Sequence, residues 1–173
     1  LRSIILSDEH KFWKFLSKKV YINEERINLD KRLLLNFYKN NGFYNAKINN
    51  SFVEFQNKEN FKLTFNIASG KIHTFNSFDL DMPDDYERDD FSKVEKMFEK
   101  LKDKSYSLLD LEDVLQKIEQ EAISNNYEFA NVLIDQEIID NNKINFKIKI
   151  IEGEKFFVER INIRGNYNTK EEV

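Results

Sequence analysis

The chain has 173 residues, 40% of them hydrophobic, with a formal charge of −4 from 31 acidic and 27 basic side chains. That length suits one medium domain or two small ones with a real core, and the charge balance offers no broad phosphate-binding surface, so nucleic acid is not an expected partner. Cysteine is absent, which excludes a disulfide framework, zinc–thiolate centres and cysteine catalysis.

No apolar run approaches the roughly 20 residues of a membrane-spanning helix. Leu1 to Leu6 is too short for a signal peptide. The chain opens without Met and stops at "NTKEEV", where Thr169 and Glu172 stand at capping-box spacing. Both ends are therefore expected to be cuts within a longer protein.

The apolar cluster "HKFWKFLS", with Phe12, Trp13 and Phe15, comes first. Two readings stand for it: a small core under a loop, or a docking cluster for a partner or membrane surface. Between Ile27 and Tyr38 the apolar positions follow a helical period, and Gly42 stops that helix as a left-handed cap. Tyr44, Ala46 and Ile48 then alternate with Asn45, Lys47 and Asn49, which predicts a half-buried strand, with a bulge or bend near Phe52 to Phe55. After the turn "NKEN", strict alternation from Phe61 to Ile67 predicts a second strand and hence an antiparallel hairpin. "SGK" at Ser69 to Lys71 punctuates, and a strand is expected from about Ile72 to Leu80.

An acidic loop follows from Asp79 to Asp90. It lacks the central Gly and terminal Glu of a calcium-binding loop, and Asp84 or Asp85 is expected to cap the next helix instead. Helices are expected over Phe91 to Leu101 and from Leu111 to about Asn125. Strands are expected over Phe129 to Ile138, Ile144 to Ile150 and Phe156 to Ile163.

"FYKNNGFYNAKI" (Phe37 to Ile48) and "ISNNYEFANVLI" (Ile123 to Ile134) say nearly the same thing about 84 residues apart. Gly42 falls opposite Asn126, Phe43 opposite Tyr127, and Gly70 opposite Gly153. The unit is β-α-α-β-β. The expected fold is α+β, in tandem units that each hold a mixed three-stranded sheet backed by two helices. The expected division is 1–70 for a unit lacking its first strand, 71–155 for a complete unit, and 156–173 for the opening of a third. The spare strand Val158 to Arg164 suggests strand exchange between copies of the fragment.

No chemistry-bearing motif interrupts this pattern. His10 and His73 lie in different units, and no Ser-His-Asp order, HExxH, P-loop or GxGxxG occurs. The sequence implies no catalytic, cofactor or metal site, and the chain is not expected to be an enzyme.

The helix ending in "FYKNNGFYNAKI", the "EG" at Glu152 and Gly153, and above all "FVERINIRGNYNTKEEV" carry a resemblance. Together with "FWKFLS" and "LDKRLLLNFYKNNGF", they resemble the POTRA domains of the BamA family of outer-membrane barrel-assembly proteins: the third and fourth domains and the start of the fifth. The resemblance implies a periplasmic segment of an outer-membrane protein, continuous with a transmembrane barrel that is absent here. It implies a scaffold that binds unfolded outer-membrane proteins and accessory assembly lipoproteins by adding their strands to its sheet edges. Those edges would be Tyr44, Asn45, Ala46, Lys47, Ile48, Asn49 and Asn50 in the first unit. In the second they would be Phe129, Ala130, Asn131, Val132, Leu133, Ile134 and Asp135. The alternatives are a related translocation or secretion barrel, and a structural spacer whose edges are idle.

Overall fold

The computed structural model describes residues 24–56, 61–127, 130–139 and 142–153. The first element, α1 (Glu24–Lys39), carries Glu24 and Glu25 in its first turn and Lys39 in its last, each sign matching the helix dipole. It ends at Gly42, whose φ is +92°, and the N–H of Phe43 donates back to the Tyr38 carbonyl at 3.1 Å. The same device closes α3 (Leu108–Ser124). There Asn126 takes φ +61°, and the Tyr127 N–H donates to the Ala122 carbonyl at 2.9 Å. The repeated sequence is thus one helix cap used twice, with Asn tolerated where the first copy has Gly.

β1 (Lys47–Phe55) and β2 (Phe61–Ala68) pair antiparallel from Lys47↔Ala68 to Phe55↔Phe61. The irregularity expected at Phe52 to Phe55 lies earlier, between Ile48 and Asn50. The half-buried side chains step from Ile48 to Ser51 and Val53. One extra residue at Asn49 switches faces, and Phe52 turns to solvent.

The second sheet has the order β3-β5-β4. Its members are β3 (Thr74–Asp81), β4 (Ala130–Ile139) and β5 (Lys143–Glu152). β5 runs parallel to β3 and antiparallel to β4, so the sheet is mixed and the architecture is α+β. A 3-10 turn (Arg88–Phe91) leads into α2 (Ser92–Leu101). Val94 and Leu101 of α2, with Leu111, Val114, Ile118 and Ala122 of α3, are buried in one cluster with Phe75, Leu80, Ile144, Phe146, Ile148 and Ile150 of the sheet. Both helices therefore cover the same face. Every second residue of β5 is buried, as befits a central strand with one face on a core.

Two local expectations change. Asp84 and Asp85 do not cap α2, because the 3-10 turn intervenes and the N-cap is Phe91, without a side-chain cap. The acidic loop is held instead by Tyr127, whose hydroxyl donates to Asp90 at 2.7 Å and accepts from the Glu87 N–H at 2.8 Å. α3 begins three residues before Leu111, because Ser107 caps it by accepting from the Asp110 N–H at 3.2 Å. The strand Phe156 to Ile163, and with it the strand-exchange idea, lies outside the described residues.

Glu121 is the buried carboxylate of α3. Lys117, one turn earlier, and Lys93 of α2 approach it at 2.6 and 3.2 Å. The Lys117 hydrogen bond, then that of Lys93, holds its carboxyl below the ordinary glutamate range against the opposing effect of burial. The pair ties α2 to α3.

Burial first, then the nearby Tyr44 and Glu112, pushes the Tyr106 hydroxyl up to about 12. The folded chain holds this proton more tightly than the unfolded chain, whose tyrosines ionise near about 10. Stability from this source is complete below pH ~10 and drains as the pH rises towards ~12, by roughly 2–3 kcal/mol at the upper end. Urea unfolding between pH 9 and 12 should show that slope, and Tyr106→Phe should flatten it. An equal slope in the variant would assign the effect elsewhere.

Candidate functional site

A sheet edge is a row of backbone groups awaiting partners, and the second sheet has two edges that differ. The outer side of β3 is covered at its start. Phe75 exchanges backbone bonds with Lys104 (3.0 Å) and Asp103 (2.9 Å), and the Tyr106 N–H donates to the His73 carbonyl at 2.9 Å. Thr74 also bridges Ser105. β4 is paired with β5 along its whole length, from Ala130↔Glu152 to Ile139↔Lys143. Among the described residues no backbone bond crosses its other side. Among the described residues β4 is thus the edge left without a backbone partner along its outer side.

Register assigns the two faces of β4. Val132, Ile134, Gln136 and Ile138 oppose the buried Ile150, Ile148, Phe146 and Ile144, and so face the helices. Asn131, Leu133, Asp135 and Glu137 face away. Leu133 and Ile138 are 54% and 46% exposed, large apolar side chains on a strand that no other described strand covers. On the outer face Lys147 lies in register between Asp79 and Asp135. Beside it, Asn145 accepts from the Asn76 amide at 2.6 Å and the Ser77 hydroxyl at 2.8 Å. Ser77, Asp79, Asp135, Glu137, Asn145 and Lys147 line an open groove there.

The residues expected at the first edge divide. Lys47, Ile48, Asn49 and Asn50 do lie on β1. Tyr44, Asn45 and Ala46 precede it, in the turn after Gly42, and are corrected to joint residues. Alternation marks which side chains are buried, but a turn packed on a neighbour gives the same signal. The Tyr44 ring meets those of Tyr106 and His73 edge-on or tilted, at 5.1 and 5.6 Å, and its hydroxyl donates to Gln136 of β4 at 2.7 Å. The His73 N–H donates to the Gly42 carbonyl at 2.8 Å. The His73 ring is buried between the Lys71 carbonyl at Nδ1 (2.9 Å) and the Asn45 amide at Nε2 (3.4 Å). A carbonyl only accepts, which places the proton on Nδ1 and leaves Nε2 to accept. Asn40 completes the joint by accepting from the Leu109 N–H at 3.0 Å, in the first turn of α3.

Ala130, Asn131, Val132, Leu133, Ile134 and Asp135 all lie on β4. Phe129 and the cluster Phe12, Trp13 and Phe15 lie outside the described residues. The expected edge stopped too early: Gln136, Glu137 and Ile138 continue it. The unbroken β-rich run "LIDQEII" carried that signal. No group of three or more His, Asp or Glu among the described residues is placed to hold a metal ion, and no described helix is long and apolar enough to cross a membrane.

A central strand parallel to one edge strand and antiparallel to the other, with two helices on one face, is the arrangement of a known class. Residues 11–70 match the POTRA family, described as the surface antigen variable number repeat. In structure, the chain is similar to POTRA domains 3–5 of BamA from Haemophilus influenzae, with a TM-score of 0.62 and 17% identity, over 84% of this chain and 57% of that one. The class the chain resembles is therefore the POTRA domain.

Among POTRA-bearing proteins, the chain is similar to the outer membrane protein assembly factor BamA. It is 27% identical to that of Buchnera aphidicola subsp. Acyrthosiphon pisum over 97% of its length, and 24% identical to that of Neisseria meningitidis serogroup B over 93%. It spans 27% and 20% of those two relatives, about a quarter of their length.

Proposed function

We propose that the chain is a periplasmic POTRA segment of an outer-membrane protein assembly factor. In this reading it is a non-enzymatic scaffold that receives nascent barrel proteins and accessory lipoproteins by strand addition, with no cofactor. Its units are 1–70, 71–155 and the start of a third at 156–173, and a transmembrane barrel follows them in the whole protein. The carrying observation is that, among the described residues, β4 has no backbone partner along its outer side, whereas the start of β3 is already bonded to the segment Asp103 to Tyr106. Backbone pairing hardly depends on the partner's side chains, which suits a receptor for many different clients. The likeness to BamA supplies the context.

A backbone NMR titration with an extended peptide of alternating apolar and polar residues, taken from a barrel strand, tests this. Shifts concentrated on residues 130–139 are expected, at affinities in the high micromolar to millimolar range. Millimolar peptide with no shift on β4 or β1 would sink it. That result would favour the spacer reading, which the joint of Tyr44, His73 and Gly42 supports independently, because it fixes one sheet against the next.

A further inference from the structure

Resting on β4 as the receiving edge, we propose that this edge selects the charge of its occupant. It takes an extended segment that is apolar on one face and carries Lys or Arg on the other. The argument is one of register. A strand added to β4 aligns its side chains with those of β4 on each face. On the helix side its neighbours are Ile134, Gln136 and Ile138; on the outer side they are Leu133, Asp135 and Glu137.

The outer side is not neutral. Lys149 is engaged by Asp81 at 3.5 Å and Lys143 by Asp103 at 3.0 Å. Lys147 is shared in register by Asp79 and Asp135, and Glu137 has the uncharged Asn145 beside it on β5. Neither Asp135 nor Glu137 makes an ion pair among the described residues. Their negative field therefore extends across the open edge, where like charge directly opposite is unfavourable and opposite charge is favourable. Backbone pairing supplies affinity, and these two carboxylates supply the preference.

The test uses two peptides with the same apolar face, one bearing Lys and the other Glu at the alternate positions. They are titrated by NMR into the 173-residue chain and into the Asp135→Asn/Glu137→Gln variant. Two exposed pairs at the rim should make the Lys peptide bind roughly three- to tenfold more tightly at low salt. The double variant, or salt above ~0.5 M, should remove most of that difference while the β4 shifts remain. Equal affinity of both peptides for the parent chain, with β4 shifts present, would overturn the charge preference and leave the strand-addition reading standing. No β4 shift with either peptide would overturn both.

Discussion

Replacing Phe146 with alanine should cost about 3–5 kcal/mol, the usual penalty for emptying a fully buried aromatic position. The ring sits on the central strand and is almost wholly buried. It packs on Phe75 and stacks on Phe78 at centroid distances of 5.4 and 5.2 Å, and it lies 6.4 Å from Tyr106. Phe78 in turn stacks on Phe98 of α2 at 4.7 Å. One truncation thus loosens the packing of β5 on β3 and, through Phe78, of the sheet on α2. A domain holds only about 5–15 kcal/mol in total, so most of the second sheet's margin would go. Hydrogen exchange should report it: amides of β3, β4 and β5 should lose roughly 10²- to 10⁴-fold of their protection. Those of β1 and β2 should change far less, since they belong to the other sheet. Phe146→Leu should retain much of the loss. A penalty below about 1 kcal/mol for Phe146→Ala would mean that the site collapses around the gap and that the aromatic stack is not what holds the sheet.

Gly42→Val should be the most damaging single change outside that core, at about 2–4 kcal/mol. The backbone there has φ +92°, a region that costs an L-residue roughly 1–2 kcal/mol and suits a β-branched one least. A Cβ would also stand 2.8 Å from the Ile72 Cγ2, so Ile72 must move, at an overpacking cost of about 1–3 kcal/mol. Ile72 precedes His73, whose N–H donates to the Gly42 carbonyl, so the joint is strained along with the cap. Amides near Tyr38 to Ala46 and at His73 should lose protection together. Asn126→Gly, at the matching cap of α3, should change stability by only a few tenths of a kcal/mol, because Asn already tolerates φ +61° there. If Gly42→Val were as mild as Asn126→Gly, the close approach at Ile72 would not constrain the joint.

These two sites differ in how far they can be read ahead. Gly42 is legible in sequence: a helical period, then Gly, then alternation is a local signal of a left-handed cap. Its recurrence as Asn126 identifies the repeat. What Gly42 touches is not legible, because Ile72 and His73 reach it only after the whole hairpin has folded back. Phe146 is legible as a core-facing residue of a strand with strict alternation. Its place on the central strand is not, because alternation is the same for a central strand and for an edge strand with one buried face.

Local patterning along the chain accounts for the periodic elements, the β-α-α-β-β order, the two equivalent caps and the α+β class. Each of these rests on the preferences of residues close together in the chain. Tertiary structure alone decided which edge stays open. β3 gives the start of its outer edge, around Thr74 and Phe75, to the segment Asp103 to Tyr106, and β4 keeps its own because nothing in the described chain returns to it. It also moved Tyr44 from a strand to a joint, by setting its ring against Tyr106 and its hydroxyl on Gln136. It brought Asp79, Lys147 and Asp135 into one row. Residues far apart in sequence acquire these relations only through strand pairing. Pairing is chosen by the burial of a whole face rather than by any local propensity.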